Sequence, residues 1–136
     1  MKSKISILLL IVCVISGCGG DPLDDSGYFS DFIVENNSNY NIEVEYEVPS
    51  SVEESLESFF LEPGNSETFH TAFNETSNIA NAPSPESTFL HFEIYRIDEE
   101  QRDNSIGVLD DSLWVKATQD KLSIYTLSII DSDFGI

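Results

Sequence analysis

Apolar and polar residues alternate along several segments of this chain, and the clearest example lies near residue 45. Tyr40, Ile42, Val44, Tyr46 and Val48 are separated by polar residues, most of which are glutamates. A period of two is typical of a strand that has one face in a core and the other in water. We therefore predict a strand over 40–48 whose glutamates lie on the solvated face.

Shorter patterns predict the other strands, and turn residues separate them. Pro63 and Gly64 indicate a turn, because proline presets the second position of a turn and glycine accepts the positive φ that follows. We predict a long polar loop over 74–87, a charged turn over 98–104 and a tail over 131–136. The predicted strands are 28–35, 40–48, 58–61, 66–73, 88–97, 106–109, 113–116 and 121–130.

No segment shows a sustained helical period with capping residues. About seven or eight short strands with regular turns favour an all-β fold. We predict an antiparallel β-sandwich, immunoglobulin-like or transthyretin-like, as a single domain over 28–136.

The first 17 residues have the layout of a cleaved export signal. Lys2 and Lys4 precede an apolar run over 5–15, and the small residues Ser16 and Gly17 follow it. The run is too short for a transmembrane helix, which needs about 20 apolar residues. We predict that residues 1–17 are removed as a signal peptide.

The four residues Ile15-Ser16-Gly17-Cys18 resemble the lipobox of bacterial lipoproteins. The resemblance implies cleavage between Gly17 and Cys18, and acylation of Cys18, which anchors the chain in a lipid bilayer. It also implies a location in the cell envelope, at the outer membrane, on its periplasmic face or at the cell surface. The sequence pattern also resembles that of small β-sandwich lipoproteins of flavobacteria (Bacteroidota), which mostly lack assigned functions. The similar segments are the Asn-Asn-Ser turn, the Glu-Pro-Gly-Asn turn and the last predicted strand.

Loss of the signal changes both the charge and the cysteine content. It removes two of the six basic residues and none of the 25 acidic ones, so the formal charge goes from −19 to −21. Such a charge repels nucleic acids. Cys13 leaves with the signal and Cys18 carries lipid, which excludes disulfides, zinc–thiolate sites and cysteine nucleophiles. Residues 18–27 are predicted to be a flexible acidic linker.

Catalytic signatures are missing, and we predict no enzymatic activity, no cofactor and no resident metal. His70 and His91 could share a metal with Glu93 if the fold brought them together, but ordinary strand histidines are the simpler interpretation. Residues 131–135 resemble the start of a calcium loop, but a solvated tail is the favoured interpretation.

Recognition is predicted to fall on the long loop over 74–87, with Asn74, Asn78 and Asn81 as candidate contacts, because such loops are uncommon unless they are functional or disordered. Trp114 could be a stacking platform for sugars or a core anchor, and the core is favoured. Ser112 matches a short O-glycosylation pattern of Bacteroidota lipoproteins.

Three hypotheses of function follow from these observations. The first is a non-catalytic binding or structural module whose partner is an envelope protein or a glycan. The second is an inhibitor or scavenger of cationic proteins, which the charge of −21 motivates. The third is an envelope hydrolase that uses carboxylates.

Overall fold

The computed structural model describes residues 27–49, 55–75 and 78–135. The predicted signal peptide, the lipobox, Cys18 and the linker up to residue 26 lie outside the described residues. The strands are β1 (Tyr28–Asn36), β2 (Asn41–Glu47), β3 (Leu56–Leu61), β4 (Ser66–Asn74), β5 (His91–Asp98), β6 (Gln101–Gly107), β7 (Val115–Gln119) and β8 (Leu122–Ile129).

Two four-stranded sheets pack face to face, which confirms the predicted all-β sandwich. One sheet has the strand order β4-β1-β8-β7, and the other has the order β3-β2-β5-β6. Every strand pair is antiparallel except β1 and β8, which run parallel with Phe29 opposite Leu122. The first and last strands are therefore neighbours, and one sheet is mixed rather than purely antiparallel.

The core lies between the sheets and is rich in aromatic rings. Phe32 is fully buried at the centre of this core. Its ring centroid lies 4.9 Å from that of Phe89 and 5.5 Å from that of Tyr125. Ile42, Val44 and Tyr46 point into this core from β2, as their alternation predicts. Each large apolar side chain buried in this way contributes about 1.5–3 kcal/mol.

The opposite face of β2 differs from the prediction. Glu43 and Glu45 were expected in water, but they are only 8% and 9% exposed. Arg102 covers them from β6, donating hydrogen bonds to Glu43 at 2.7 and 2.8 Å and to Glu45 at 2.7 Å. Its guanidinium also stacks on the ring of Tyr95, 4.0 Å from the centroid. A paired cation thus makes the burial of both carboxylates tolerable.

The predicted charged turn over 98–104 and the strand over 106–109 are also wrong. The chain turns at two residues, Glu99 and Glu100, which have φ angles of 47° and 66°. Positive φ at both central positions is the geometry of a tight two-residue hairpin. β6 starts directly afterwards and pairs with β5 up to Gly107.

Residues 131–135 are part of the folded domain rather than a solvated tail. Residues Asp131–Phe134 form a 3₁₀ turn, and Phe134 is buried in the core. The side chain of Asn104 donates a hydrogen bond to the carbonyl of Phe134 at 2.7 Å. Asp131 accepts hydrogen bonds from Asn39, and Asp133 accepts one from the backbone of Ile130. These carboxylates secure the turn, which accounts for the spacing that resembles a calcium loop.

Within the described ranges, none of the helical segments has the length and apolar character needed to cross a bilayer.

Candidate binding cleft

The predicted recognition loop is folded against the sandwich at the end where β1 begins. Ile79–Asn81 form a 3₁₀ turn that Asn78 caps, and Pro85–Thr88 form one helical turn. Residues 76 and 77 lie outside the described residues. Ser30 of β1 donates a 2.6 Å hydrogen bond to the carbonyl of Pro83, and this bond fixes the loop to the sheet.

A cleft of about 460 Å³ separates this loop from the ends of β2 and β4. That volume lies within the range of small-ligand sites, roughly 300–1,000 Å³. The described lining residues include no aspartate, glutamate, lysine or arginine. Its apolar residues are Val48, Pro49, Ala72, Phe73 and Pro83, and its polar residues are His70, Asn74, Asn81, Ser87 and Thr88. Apolar surface combined with polar groups that can fix the orientation of a ligand is typical of a ligand site.

Thr88 carries the most informative polar group of the cleft. The residue is 8% exposed, and its hydroxyl oxygen is buried without a hydrogen-bond partner among the described residues. Burying a hydroxyl that makes no hydrogen bond costs about 1–3 kcal/mol. Because such groups are rare in folded proteins, this hydroxyl is a candidate to bind a ligand group.

His70 faces the cleft from β4 and packs on the core rings. Its ring centroid lies 5.6 Å from that of Phe89 and 6.1 Å from that of Phe32. Burial lowers the pKa of His70 below its ordinary 6.5, against a smaller opposing effect of the Glu57 carboxylate. The imidazole is therefore neutral at pH 7, so one ring nitrogen can donate a hydrogen bond and the other can accept one.

The structure brings two of the three predicted loop residues to the cleft. Asn74 and Asn81 line it, and the side chain of Asn74 donates a 3.2 Å hydrogen bond to the carbonyl of Asn81. Asn78 does not line it, because its side chain accepts a hydrogen bond from the backbone of Ala80 instead. Sequence reasoning missed His70 and Thr88, which were assigned to strands and carry no pattern that indicates a cleft.

Trp114 is removed from the candidate binding residues, and the favoured core interpretation is confirmed. It is 6% exposed, and its ring centroid lies 5.4 Å from that of Phe92 and 6.1 Å from that of Phe32. Its indole nitrogen donates a 2.9 Å hydrogen bond to the carbonyl of Val108. With its polar group satisfied and its ring enclosed, Trp114 cannot stack on a sugar.

The remaining candidate site residues from the sequence are Ser112, for glycosylation, and His70 and His91, for metal binding. Ser112 is exposed in the 3₁₀ turn Asp111–Leu113, and its glycosylation stays a prediction. His70 and His91 lie in different sheets, and only His91 lies beside Glu93. The two histidines therefore do not share a metal.

No protein-family model matches this chain, and the search of the curated proteins finds no similar sequence.

Proposed function

We propose that this protein is a lipid-anchored lipoprotein of the cell envelope, and that its β-sandwich is a non-catalytic binding module. The lipobox-like sequence at Cys18 supports the anchor. The observation that carries the binding role is the hydroxyl of Thr88, which has no partner among the described residues and lies beside a cleft of apolar and neutral polar side chains. The described lining of that cleft includes no carboxylate, which gives the alternative of a hydrolase no support at this site.

The lining favours a neutral ligand. Its polar groups are amides, hydroxyls and a neutral imidazole, all of which pair with hydroxyl or amide groups. The strongly negative charge of the protein disfavours an anion. A sugar unit of an envelope glycan combines apolar C–H surface with hydroxyl groups, so we propose a neutral glycan as the ligand class.

The position of the cleft agrees with a target close to the membrane. Tyr28, the first residue of β1, pairs with Asn74 at the edge of the cleft. The predicted linker over 18–27 spans at most about 35 Å when fully extended. The cleft thus lies at the tethered end of the sandwich, and an envelope glycan within that distance of the bilayer is accessible to it.

A titration of the full chain in detergent micelles with neutral envelope oligosaccharides tests this proposal. We expect amide NMR shifts at cleft residues such as Ala72 and Ser87, and weaker binding by Thr88→Val. Thr118→Val is the matched control, because Thr118 is exposed on β7, outside the cleft. Shifts elsewhere in the domain, or equal binding by both variants, would contradict the proposed site.

The second candidate function, a scavenger of cationic proteins, receives less support from the charge distribution. Exposed acidic residues occur on both sheets and at both ends of the sandwich, with Glu62 and Glu67 near one end and Glu75 and Asp120 near the other. A scavenger that relies on charge should bind through a surface where the acids concentrate.

A further inference from the structure

A group of three metal-ligating side chains lies on the outer face of the second sheet, away from the cleft. Glu45 of β2 is directly opposite Glu93 of β5, and His91 precedes Glu93 by two residues on the same face. Like charges that face each other across two strands destabilise a sheet. A cation between the two carboxylates would convert this repulsion into attraction.

The distances between the three side chains suit such a cation. Nε2 of His91 lies 3.3 Å from Oε1 of Glu45 and 3.8 Å from Oε2 of Glu93, and all three atoms lie within 4.8 Å of one another. With metal–ligand bonds of about 2.0–2.2 Å, ligand atoms of a tetrahedral site are about 3.3–3.6 Å apart. Small side-chain adjustments are therefore enough to place the three atoms around one ion.

Surrounding groups orient both carboxylates toward the common centre. Arg102 holds the other oxygen of Glu45, Oε2, at 2.7 Å. The hydroxyl of Tyr95 lies between the two carboxylates and donates to the proposed ligand oxygens themselves, Oε2 of Glu93 at 2.8 Å and Oε1 of Glu45 at 3.2 Å. Hydrogen bonds of this outer kind fix the geometry of metal ligands.

The local charge also favours a divalent ion. Two carboxylates, those of Glu43 and Glu45, form ion pairs with the guanidinium of Arg102, and the carboxylate of Glu93 lies across from Glu45 on the neighbouring strand. The group therefore carries an excess of two negative charges.

We propose that Glu45, His91 and Glu93 form a binding site for a divalent transition-metal cation, and that Zn²⁺ fits the donor set best. One imidazole and two carboxylates are zinc ligands, and three protein ligands leave a fourth position for water. The side chain of His91 is 37% exposed, so the ion can enter from solvent. This site is independent of the cleft and of the proposed glycan ligand.

Zinc titration of the full chain in detergent, in competition with a chromophoric chelator, tests the site. All proteins carry Cys13→Ser and Cys18→Ser, so that no thiol competes for zinc. We expect saturation at one zinc per chain, with affinity more than about 100-fold weaker in Glu93→Gln, since losing even an outer-shell partner costs 10–100-fold. Glu62→Gln, an exposed glutamate in the β3–β4 turn, is the matched control and should bind like the parent.

Histidine NMR provides a second measurement that does not depend on variants. The chain has two histidines, so two imidazole rings are observed. Zinc should shift the Nε2 signal of His91 and leave that of His70 unchanged. Circular dichroism of Glu93→Gln without zinc should match the parent, which separates lost binding from lost folding. No zinc binding, unchanged affinity in Glu93→Gln, or a shift at His70 instead of His91 would each overturn the proposal.

Discussion

Thr88→Val separates a functional role of the cleft from a structural one, because it is expected to improve stability and weaken binding. Valine has the shape of threonine but replaces the hydroxyl with a methyl group. Thr88 ends the helical turn Pro85–Thr88, where its hydroxyl is buried without a partner among the described residues. The substitution therefore removes an unsatisfied polar group and breaks no described hydrogen bond.

The expected gain in stability of Thr88→Val follows from the free-energy cost of burying a hydroxyl without a hydrogen bond. An unpaired buried hydroxyl costs about 1–3 kcal/mol, so the expected gain in the free energy of unfolding is at least about 1 kcal/mol. For a domain of this size, 1 kcal/mol corresponds to a rise in Tm of roughly 3–6 °C. The same hydroxyl should contribute one hydrogen bond to a bound ligand, so the variant should lose about five- to tenfold in affinity, equivalent to about 1 kcal/mol.

Thermal unfolding followed by circular dichroism measures the first effect, and the oligosaccharide titration measures the second. Ser123→Ala is the matched control for stability, because the hydroxyl of Ser123 is also buried without a partner among the described residues but lies outside the cleft. It should raise Tm without changing affinity. A lower Tm in Thr88→Val would show that the hydroxyl has a structural partner and would refute the reasoning.

Three further predictions concern the anchor and the covered glutamates. Cys18→Ala should leave an uncleaved precursor that incorporates no labelled fatty acid, and normal labelling would contradict the lipoprotein assignment. Glu45→Lys should lower the free energy of unfolding, measured by urea titration, by about 2 kcal/mol, because it places a second cation beside Arg102. The control Glu47→Lys should change this free energy by less than about 0.5 kcal/mol. The pKa values of Glu43 and Glu45 lie below the ordinary 4.5. At Glu43 the hydrogen bond from Arg102 is the largest effect. At Glu45 burial is the largest single effect, but the hydrogen bonds and charge of Arg102, with hydrogen bonds from Tyr95 and His91, together outweigh it. Their stabilisation is present above pH 4.5 and is lost as the pH falls through the lowered values, so Tm should fall in acid, and less steeply in Arg102→Gln.

The strands that could be predicted from the sequence are those with one apolar face. β8 buries every second side chain, and β2 places its apolar residues on the core face, although Arg102 covers the glutamates of its other face. Both strands were located to within one residue. β6 could not be predicted, because five of its seven residues are polar and it lies at the sheet edge. The failure at β6 also explains the error at Glu43 and Glu45, since the arginine that covers them belongs to that strand.

The candidate site could be predicted only in part for a similar reason. A long polar loop is visible in a sequence, and Asn74 and Asn81 were found in this way. Two features depend on which segments pack together across the two sheets. They are the position of His70 and the burial of the Thr88 hydroxyl without a partner among the described residues. Likewise, the cross-strand pairing of Glu45 with Glu93 depends on the register between β2 and β5, which local patterns do not determine.

The parallel pairing of β1 with β8 has a consequence for the export that we propose for this protein. β1 lies between β4 and β8, so its sheet stays incomplete until β8, the last of the described strands, is present. Folds in which distant segments must meet form slowly. A chain that moves through an export channel from its N-terminus therefore cannot complete this fold while β8 is still in the cytoplasm. We expect the domain to remain unfolded during translocation and to assemble only after its final residues have crossed.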